Sequence, residues 1–207
     1  MWQSVLVTLL AGYMLGNLNG AVSMSVLFGK DVRSQGSGNA GLTNFLRMYG
    51  PGKAILVVVI DMLKAVVACW VGKLLFAPYG YAQEGLMVGA LAVSLGHDFP
   101  ALLGFRGGKG VLCGVTVALV ADWRCGLVAL AVFALCLWLT RYVSLSSILG
   151  ASAFAIVFVC IHWHKTFVVA VGVFLALLII FMHRSNISRL LSGTEKKATF
   201  SKFRKQK

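Results

Sequence analysis

Residues 54–76 read AILVVVIDMLKAVVACWVGKLLF. A helix needs about 20 apolar residues to cross a bilayer core, and this run supplies them with only Asp61, Lys64 and Lys73 as charged interruptions. Asp61 and Lys64 are three residues apart, so one helix face presents both. An ionised group at mid-membrane costs roughly 2.5–3.5 kcal/mol on insertion scales. A mutual pair, or a partner on another helix, offsets part of that cost and gives the two residues a structural role. Working outward, further apolar runs cover about 2–28, 85–105, 110–121, 125–140, 143–161 and 166–182. The sequence therefore predicts an all-α integral membrane protein with seven transmembrane helices in a single membrane-embedded domain over residues 1–207. The runs at 85–105 and 110–121 are the irregular ones: Gly96-His97-Asp98-Phe99-Pro100 interrupts the first, and the second is short. Broken or re-entrant helices are tolerated where their backbone is buried in protein or lines a cavity.

Composition agrees with this class. Of 207 residues, 59% are hydrophobic and 12% charged, roughly half the charged share of a soluble domain. Such a chain is not a disordered polypeptide, and its basic excess of +13 does not describe a soluble nucleic-acid binder. The charges instead orient the spans. With the N-terminus outside and the C-terminus cytoplasmic, fifteen lysines and arginines fall on inner segments and two, Arg124 and Lys165, on outer loops, as the positive-inside rule requires. No lysine or arginine precedes Lys30, so the first span is expected to be retained rather than cleaved. Gly12, Gly16 and Gly20 recur at every fourth position and put small residues on one face for close helix packing. The five cysteines form no C-x-x-C pair and read as buried membrane thiols. His162 and His164 flank Trp163 and read as interfacial anchors. Beyond Met182 the chain turns polar and basic, first helical because Ile187, Leu190 and Leu191 recur at helical spacing, then a cationic tail over 196–207 suited to anionic lipid.

Four polar clusters on the inner face need explaining. Residues 36–47, GSGNAGLTNFLR, contain a G-x-G-x-x-G pattern, but a membrane span precedes it instead of the strand that a dinucleotide fingerprint demands. Its physical content is a loop whose glycines let backbone N–H groups turn toward an anion. Ser37, Gly38, Asn39, Thr43 and Asn44 contribute neutral groups, and Arg47 a guanidinium fork suited to phosphate. The second cluster, His97 to Pro100 followed by Arg106-Gly107-Gly108-Lys109-Gly110, suggests a phosphate held at a helix N-terminus. It lacks the Walker pattern, so nucleotide hydrolysis is not indicated; positive-inside anchoring is the lesser alternative for Arg106 and Lys109. The third, Arg141 to Ile148, offers Ser144, Ser146 and Ser147, either as helix caps or as donors to an anion. The fourth, His183 to Leu190, puts His183 and Asn186 on one helix face, with Glu195 beyond. Together these describe a membrane-embedded site for phosphate groups, belonging to either a lipid-phosphate enzyme or a transporter of phosphate or lysophospholipid.

No histidine has an aspartate five residues on, as the soluble type of glycerophosphate acyltransferase requires, and there is no G-x-S-x-G elbow. The clusters do resemble, in order and spacing, the bacterial acyl-phosphate:glycerol-3-phosphate acyltransferase family of membrane enzymes. The markers are GSGNAGLTN at 36–44, GHDFP at 96–100, GGKGV at 107–111, YVSLSSI at 142–148 and HRSNISRLL at 183–191. Asp61-Met62-Leu63-Lys64 also looks like the family's second span. Leu102, Arg106 and Leu112-Cys113 depart from the family pattern without removing a cation or site hydroxyl. The resemblance implies acyl transfer from acyl phosphate to the sn-1 hydroxyl of glycerol 3-phosphate, giving lysophosphatidic acid and phosphate at the cytoplasmic side of the bacterial inner membrane, among membrane lipids. It implies no cofactor, metal or nucleic acid. Arg47, Lys109, His183 and Asn186 would be catalytic. Ser37, Gly38, Asn39, Thr43, Asn44, His97, Gly107, Gly108, Ser146 and Ser147 would bind substrate. Acyl phosphate is already activated, so no covalent enzyme intermediate is needed. His97, Asp98 and His183 are candidate proton acceptors. A phosphomonoester with a second pKa near about 6 can itself serve as base.

Overall fold

The computed structural model describes residues 1–198; the end of the cationic tail, with Lys202, Arg204, Lys205 and Lys207, lies outside them. All regular structure among the described residues is helical, in two compact units, Met1–Ala121 and Asp122–Lys207.

The first unit holds α1 (Trp2–Asn17), α2 (Gly20–Leu27), α3 (Leu42–Phe76), α4 (Ala82–Asp98) and α5 (Val111–Ala121). The initial apolar run is not one helix. It breaks at Leu18–Asn19, and α2 leaves α1 at 40°. Asn19 causes the restart, because its Oδ1 accepts from Val22 N at 3.0 Å and caps the new helix. The break also corrects the expectation for the glycines. Gly12 and Gly16 do face α4, where any Cβ would strike Ala92 or the backbone at Val93 and Gly96, but Gly20 opens α2 and faces Val57 and Asp61 of α3. Conversely α4 runs uninterrupted through Asp98, stopping where Phe99 precedes Pro100, a dipeptide that disfavours the helical region. Helix α3 is kinked at Gly50 (φ 80°) before Pro51, so its first two turns form a separate segment carrying Arg47.

Asp61 and Lys64, both buried, form an ion pair of 2.8 Å. Lys64 also donates to the carbonyls of Leu18 at 2.7 Å and Gly16 at 3.3 Å, while Gly20 N donates to Asp61 Oδ1 at 3.1 Å. The pair thus satisfies the backbone groups freed by the break between α1 and α2. Removing one member of such a buried pair costs about 3–5 kcal/mol, since the other charge is left uncompensated.

The second unit holds α6 (Trp123–Thr140), α7 (Val143–His162), α8 (Thr166–Met182) and α9 (Arg184–Leu191). Asp122 caps α6 by accepting from Arg124 N at 3.0 Å and binds the Arg124 guanidinium at 2.7 Å. Its other contact is His162 Nε2 at 3.0 Å. His162 therefore ties the end of α7 to the start of α6, a tertiary role in place of the expected interfacial one. The Arg124 guanidinium holds the Asp122 carboxyl well below the usual carboxylate range. Of the five thiols, Cys69, Cys113, Cys125 and Cys136 are buried and Cys160 is exposed.

Large apolar side chains cover the exterior, including Trp2, Leu63, Trp138 and Phe181, as expected of a surface that meets lipid. Among the described residues four helices are long and apolar enough to cross a membrane, or six if the bent pairs 2–27 and 166–191 each count as one span. The fourth apolar run, α5, has 11 residues and reaches about 16 Å at 1.5 Å per residue, short of the roughly 30 Å hydrocarbon core.

Candidate active site

Within the first unit the two glycine-rich loops lie side by side. Asn44 organises the first. Its Nδ2 lies 2.8 Å from the Val32 carbonyl, 3.0 Å from that of Gln35 and 3.2 Å from that of Asn39, and its Oδ1 accepts from Ser37 N at 3.0 Å. Gly36 passes so close to the Asn44 amide that no Cβ would fit, and Gly36 and Gly38 both take positive φ. Asn44 is thus turned inward, holding the loop. Ser37 and Gly38 are exposed at its tip, Asn39 and Thr43 are half-buried, and Arg47 is exposed on the first turns of α3. A small core of Val22, Val32, Phe45 and Val57 supports the loop from below, and Asn19 Nδ2 fixes its far end by donating to the Ala40 carbonyl at 3.1 Å.

The second loop is anchored by α1 and α4. Tyr13 Oη donates to the Phe99 carbonyl at 2.8 Å and accepts from Ala101 N at 3.1 Å, while Asn17 Oδ1 accepts from Leu102 N at 3.0 Å. Gly108 N returns to the His97 carbonyl at 3.1 Å. Gly107 and Gly108 are packed against His97 so tightly that a Cβ at either would collide with it; one at Gly108 would also lie 3.1 Å from the Ala40 carbonyl of the first loop. Gly110 takes φ +67° beside Asp98, a buried residue whose carboxylate oxygens have no hydrogen-bond partner among the described residues. The half-buried Lys109 lies between Gly108 and Gly110, two residues before Val111 opens α5. Outside the loops, Arg33 forks onto Asp31 at 2.7 Å and donates to the Leu103 carbonyl at 3.0 Å, joining the chain entering the first loop to the turn before the second. Its guanidinium holds the Asp31 carboxyl below its ordinary value.

The second unit carries the remaining candidates. Ser146 and Ser147 are buried and donate to the carbonyls of Tyr142 and Val143 at 2.8 and 2.9 Å. This corrects the capping expectation: they bond back one turn along α7, and none of the serines caps it. Their hydroxyl oxygens keep acceptor capacity, but donation to an anion requires the hydroxyl to rotate. His183 Nδ1 lies 2.8 Å from the Ile179 carbonyl. A carbonyl only accepts, so Nδ1 carries a proton.

Glu195 is the organiser that sequence reasoning undervalued. Its Oε1 accepts from Ser144 Oγ and Asn186 Nδ2, each at 2.7 Å, and its Oε2 from Arg189 Nε at 2.7 Å. Burial pushes this carboxyl up, but the bonds from Asn186, Ser144 and Arg189 outweigh it and leave Glu195 below its ordinary 4.5. The contribution of this knot is therefore complete above that ordinary value and is lost as pH falls through the lowered one. Glu195→Gln should loosen α9 at neutral pH as acidification does in the wild type. Hydrogen exchange of residues 184–191 measures this; unchanged protection in Glu195→Gln would show that the knot holds nothing. The available signal was scarcity, since the chain has only six acids.

The fold defines a multi-pass, all-helical integral membrane protein with two glycine-rich loops packed against each other. The glycerol-3-phosphate acyltransferase family profile matches residues 6–193, and the chain belongs to that family. It is 42% identical to a glycerol-3-phosphate acyltransferase of Thermoanaerobacter pseudethanolicus over 191 residues, covering 92% of this chain and 93% of the relative. It is 38% identical to glycerol-3-phosphate acyltransferase 1 of Deinococcus radiodurans over 200 residues, covering 95% and 97%. Among solved structures it is similar to PlsY (YgiH), an integral membrane glycerol 3-phosphate acyltransferase, in its glycerol 3-phosphate form. That likeness has a TM-score of 0.87 and 31% identity, and covers 98% of this chain and 100% of the other. The lysophosphatidic acid form of the same enzyme gives a TM-score of 0.83 over the same shares.

Proposed function

We propose that this chain transfers a fatty acyl group from acyl phosphate to the sn-1 hydroxyl of glycerol 3-phosphate. The observation that carries this reading is the side-by-side placement of two glycine-rich loops in one unit of a chain from this family, one carrying Lys109 and the other leading into the turns of α3 that carry Arg47. Both substrates bring a phosphate, and Arg47 and Lys109 supply a cation for each. Ser37, Gly38, Asn39, Thr43, Gly107 and Gly108 line the phosphates, with Asn44 keeping the first loop in shape. In this reading Ser146 and Ser147 hold phosphate, His183 and Asn186 position the glycerol or the acyl donor, and residues 1–207 serve as a single catalytic domain. The glycerol hydroxyl attacks the acyl carbonyl and a C–O ester bond forms as the acyl–phosphate bond breaks. Fixed N–H donors stabilise charge developing on the carbonyl oxygen, and a cation neutralises the leaving phosphate. The hydroxyl proton passes to the phosphomonoester of glycerol 3-phosphate. The loops face the cytoplasm from a bacterial inner membrane with the N-terminus outside, and the seven-crossing count assigns one crossing to α5 together with the loop that leads into it, because the 11-residue helix alone is too short.

The purified full chain, given glycerol 3-phosphate and palmitoyl phosphate, should form lysophosphatidic acid and inorganic phosphate in equal amounts, undiminished by chelator. Movement of phosphate or lysolipid across vesicles without turnover would replace this reading with a transporter. Loss of turnover in His183→Ala with retained substrate affinity and a wild-type rate that follows a histidine titration would transfer the base role to His183.

A further inference from the structure

The ion pair in α3 reaches beyond its own neutralisation. Lys64 Nζ lies 2.8 Å from His97 Nδ1. An ammonium has donors only, so Nδ1 is the acceptor and the ring proton resides on Nε2. Asp61 Oδ1 stands 3.8 Å from the same ring nitrogen and, through Gly20 N, ties the arrangement to the start of α2. Helices α2, α3 and α4 thus share one polar knot, and the imidazole at its end is 4% exposed. Its Nε2 edge abuts Gly108, next to the Ala40 carbonyl of the first loop. Among the described residues Nε2 has no hydrogen-bond partner. It is not one of the fully enclosed unpaired polar atoms, which among the described residues are Thr8 Oγ1 and the two Asp98 carboxylate oxygens, so it is not sealed from a ligand. Its surroundings are the two loops whose other groups suit a phosphate.

We propose that Asp61 and Lys64 are positioning residues that lock His97 in the Nε2–H form and aim that N–H between the loops, where it donates to a phosphate oxygen of bound substrate. The inference rests on the phosphate-site reading above. It makes His97 a donor and removes it from the candidate bases. It also gives the charged pair of the second apolar run a task in binding as well as in packing.

The test uses the full chain in detergent micelles with ¹⁵N-labelled histidine, the His97 signal being assigned with His97→Gln. Wild type should show His97 protonated at Nε2, and saturating glycerol 3-phosphate or inorganic phosphate should shift that resonance. Lys64→Met should give a mixture of tautomers. It should also raise the KM of glycerol 3-phosphate, palmitoyl phosphate or both by about tenfold, the scale of one hydrogen bond to a charged group, with a smaller change in kcat. His97→Gln keeps a donor near the Nε2 position and should stay within a fewfold of wild type, while His97→Leu should show the KM defect. Wild-type His97 protonated at Nδ1, an Nε2 signal indifferent to every phosphate, or equal KM values for His97→Gln and His97→Leu would each overturn the proposal. If Lys64→Met does not fold, the wild-type spectrum and the His97 pair decide. If the chain makes no lysophosphatidic acid yet His97 still responds to phosphate, the acyltransfer reading falls and this one stands.

Discussion

Lys109→Ala and Arg47→Ala should each lower kcat/KM by about a hundredfold or more, the scale on which loss of one fixed transition-state contact is felt. Arg47 is exposed, so its replacement should leave the thermal transition in detergent unchanged, and the deficit will be chemical. Lys109 sits among glycines packed against His97 and Asp98, so its variant needs the same melting control. The kinetic constants then separate the two phosphates. A cation that only holds glycerol 3-phosphate raises that substrate's KM. One that meets the departing phosphate lowers kcat for saturating substrates, because its interaction grows as the bond breaks. Wild-type kcat/KM in both variants would remove the phosphate site from these loops.

Palmitoyl phosphate should outperform palmitoyl-CoA by at least about a hundredfold in kcat/KM, again the scale of one transition-state contact. The argument concerns the leaving group. A cation beside the scissile bond stabilises a departing phosphate, whose charge sits on oxygens within hydrogen-bond reach. A departing thiolate offers one large, weakly accepting sulfur, and the phosphates of coenzyme A lie far from the broken bond. Side-by-side assays with purified protein and a common glycerol 3-phosphate concentration decide this. Equal use of the two donors would place the leaving-group cation elsewhere or nowhere.

Much of the helical plan was legible because hydrophobic runs of bilayer length have one solution in lipid. The runs at 143–161 and 166–182 match helices over 143–162 and 166–182. The break in the first run was harder to see. Leu18 and Asn19 interrupt an apolar stretch only slightly, and what makes the break tolerable, Lys64 on α3, is remote in sequence. In the glycine loops the residue types suggested an anion site, and the local role of each needed coordinates. Asn44 reads as a donor from composition and is turned inward by four local contacts. The serines at 144–147 show the same limit. A hydroxyl near a helix start suits a cap, a bond one turn back or a ligand, and only the backbone geometry around Tyr142 selects among them. Glu195 was visible as a rare acid, yet its partners on α7 and α9 could not be inferred from spacing.

The break between α1 and α2 also constrains how the chain can be assembled. During insertion α3 enters the bilayer carrying Asp61 and Lys64. Their mutual pair does not complete their coordination, because the carbonyls of Gly16 and Leu18 and the amide of Gly20 supply further bonds. The bent first span therefore supplies the groups that complete the coordination of the pair in the second hydrophobic segment. A chain deprived of its opening two helices would present the insertion machinery with a segment that is apolar enough to enter and too charged to rest there.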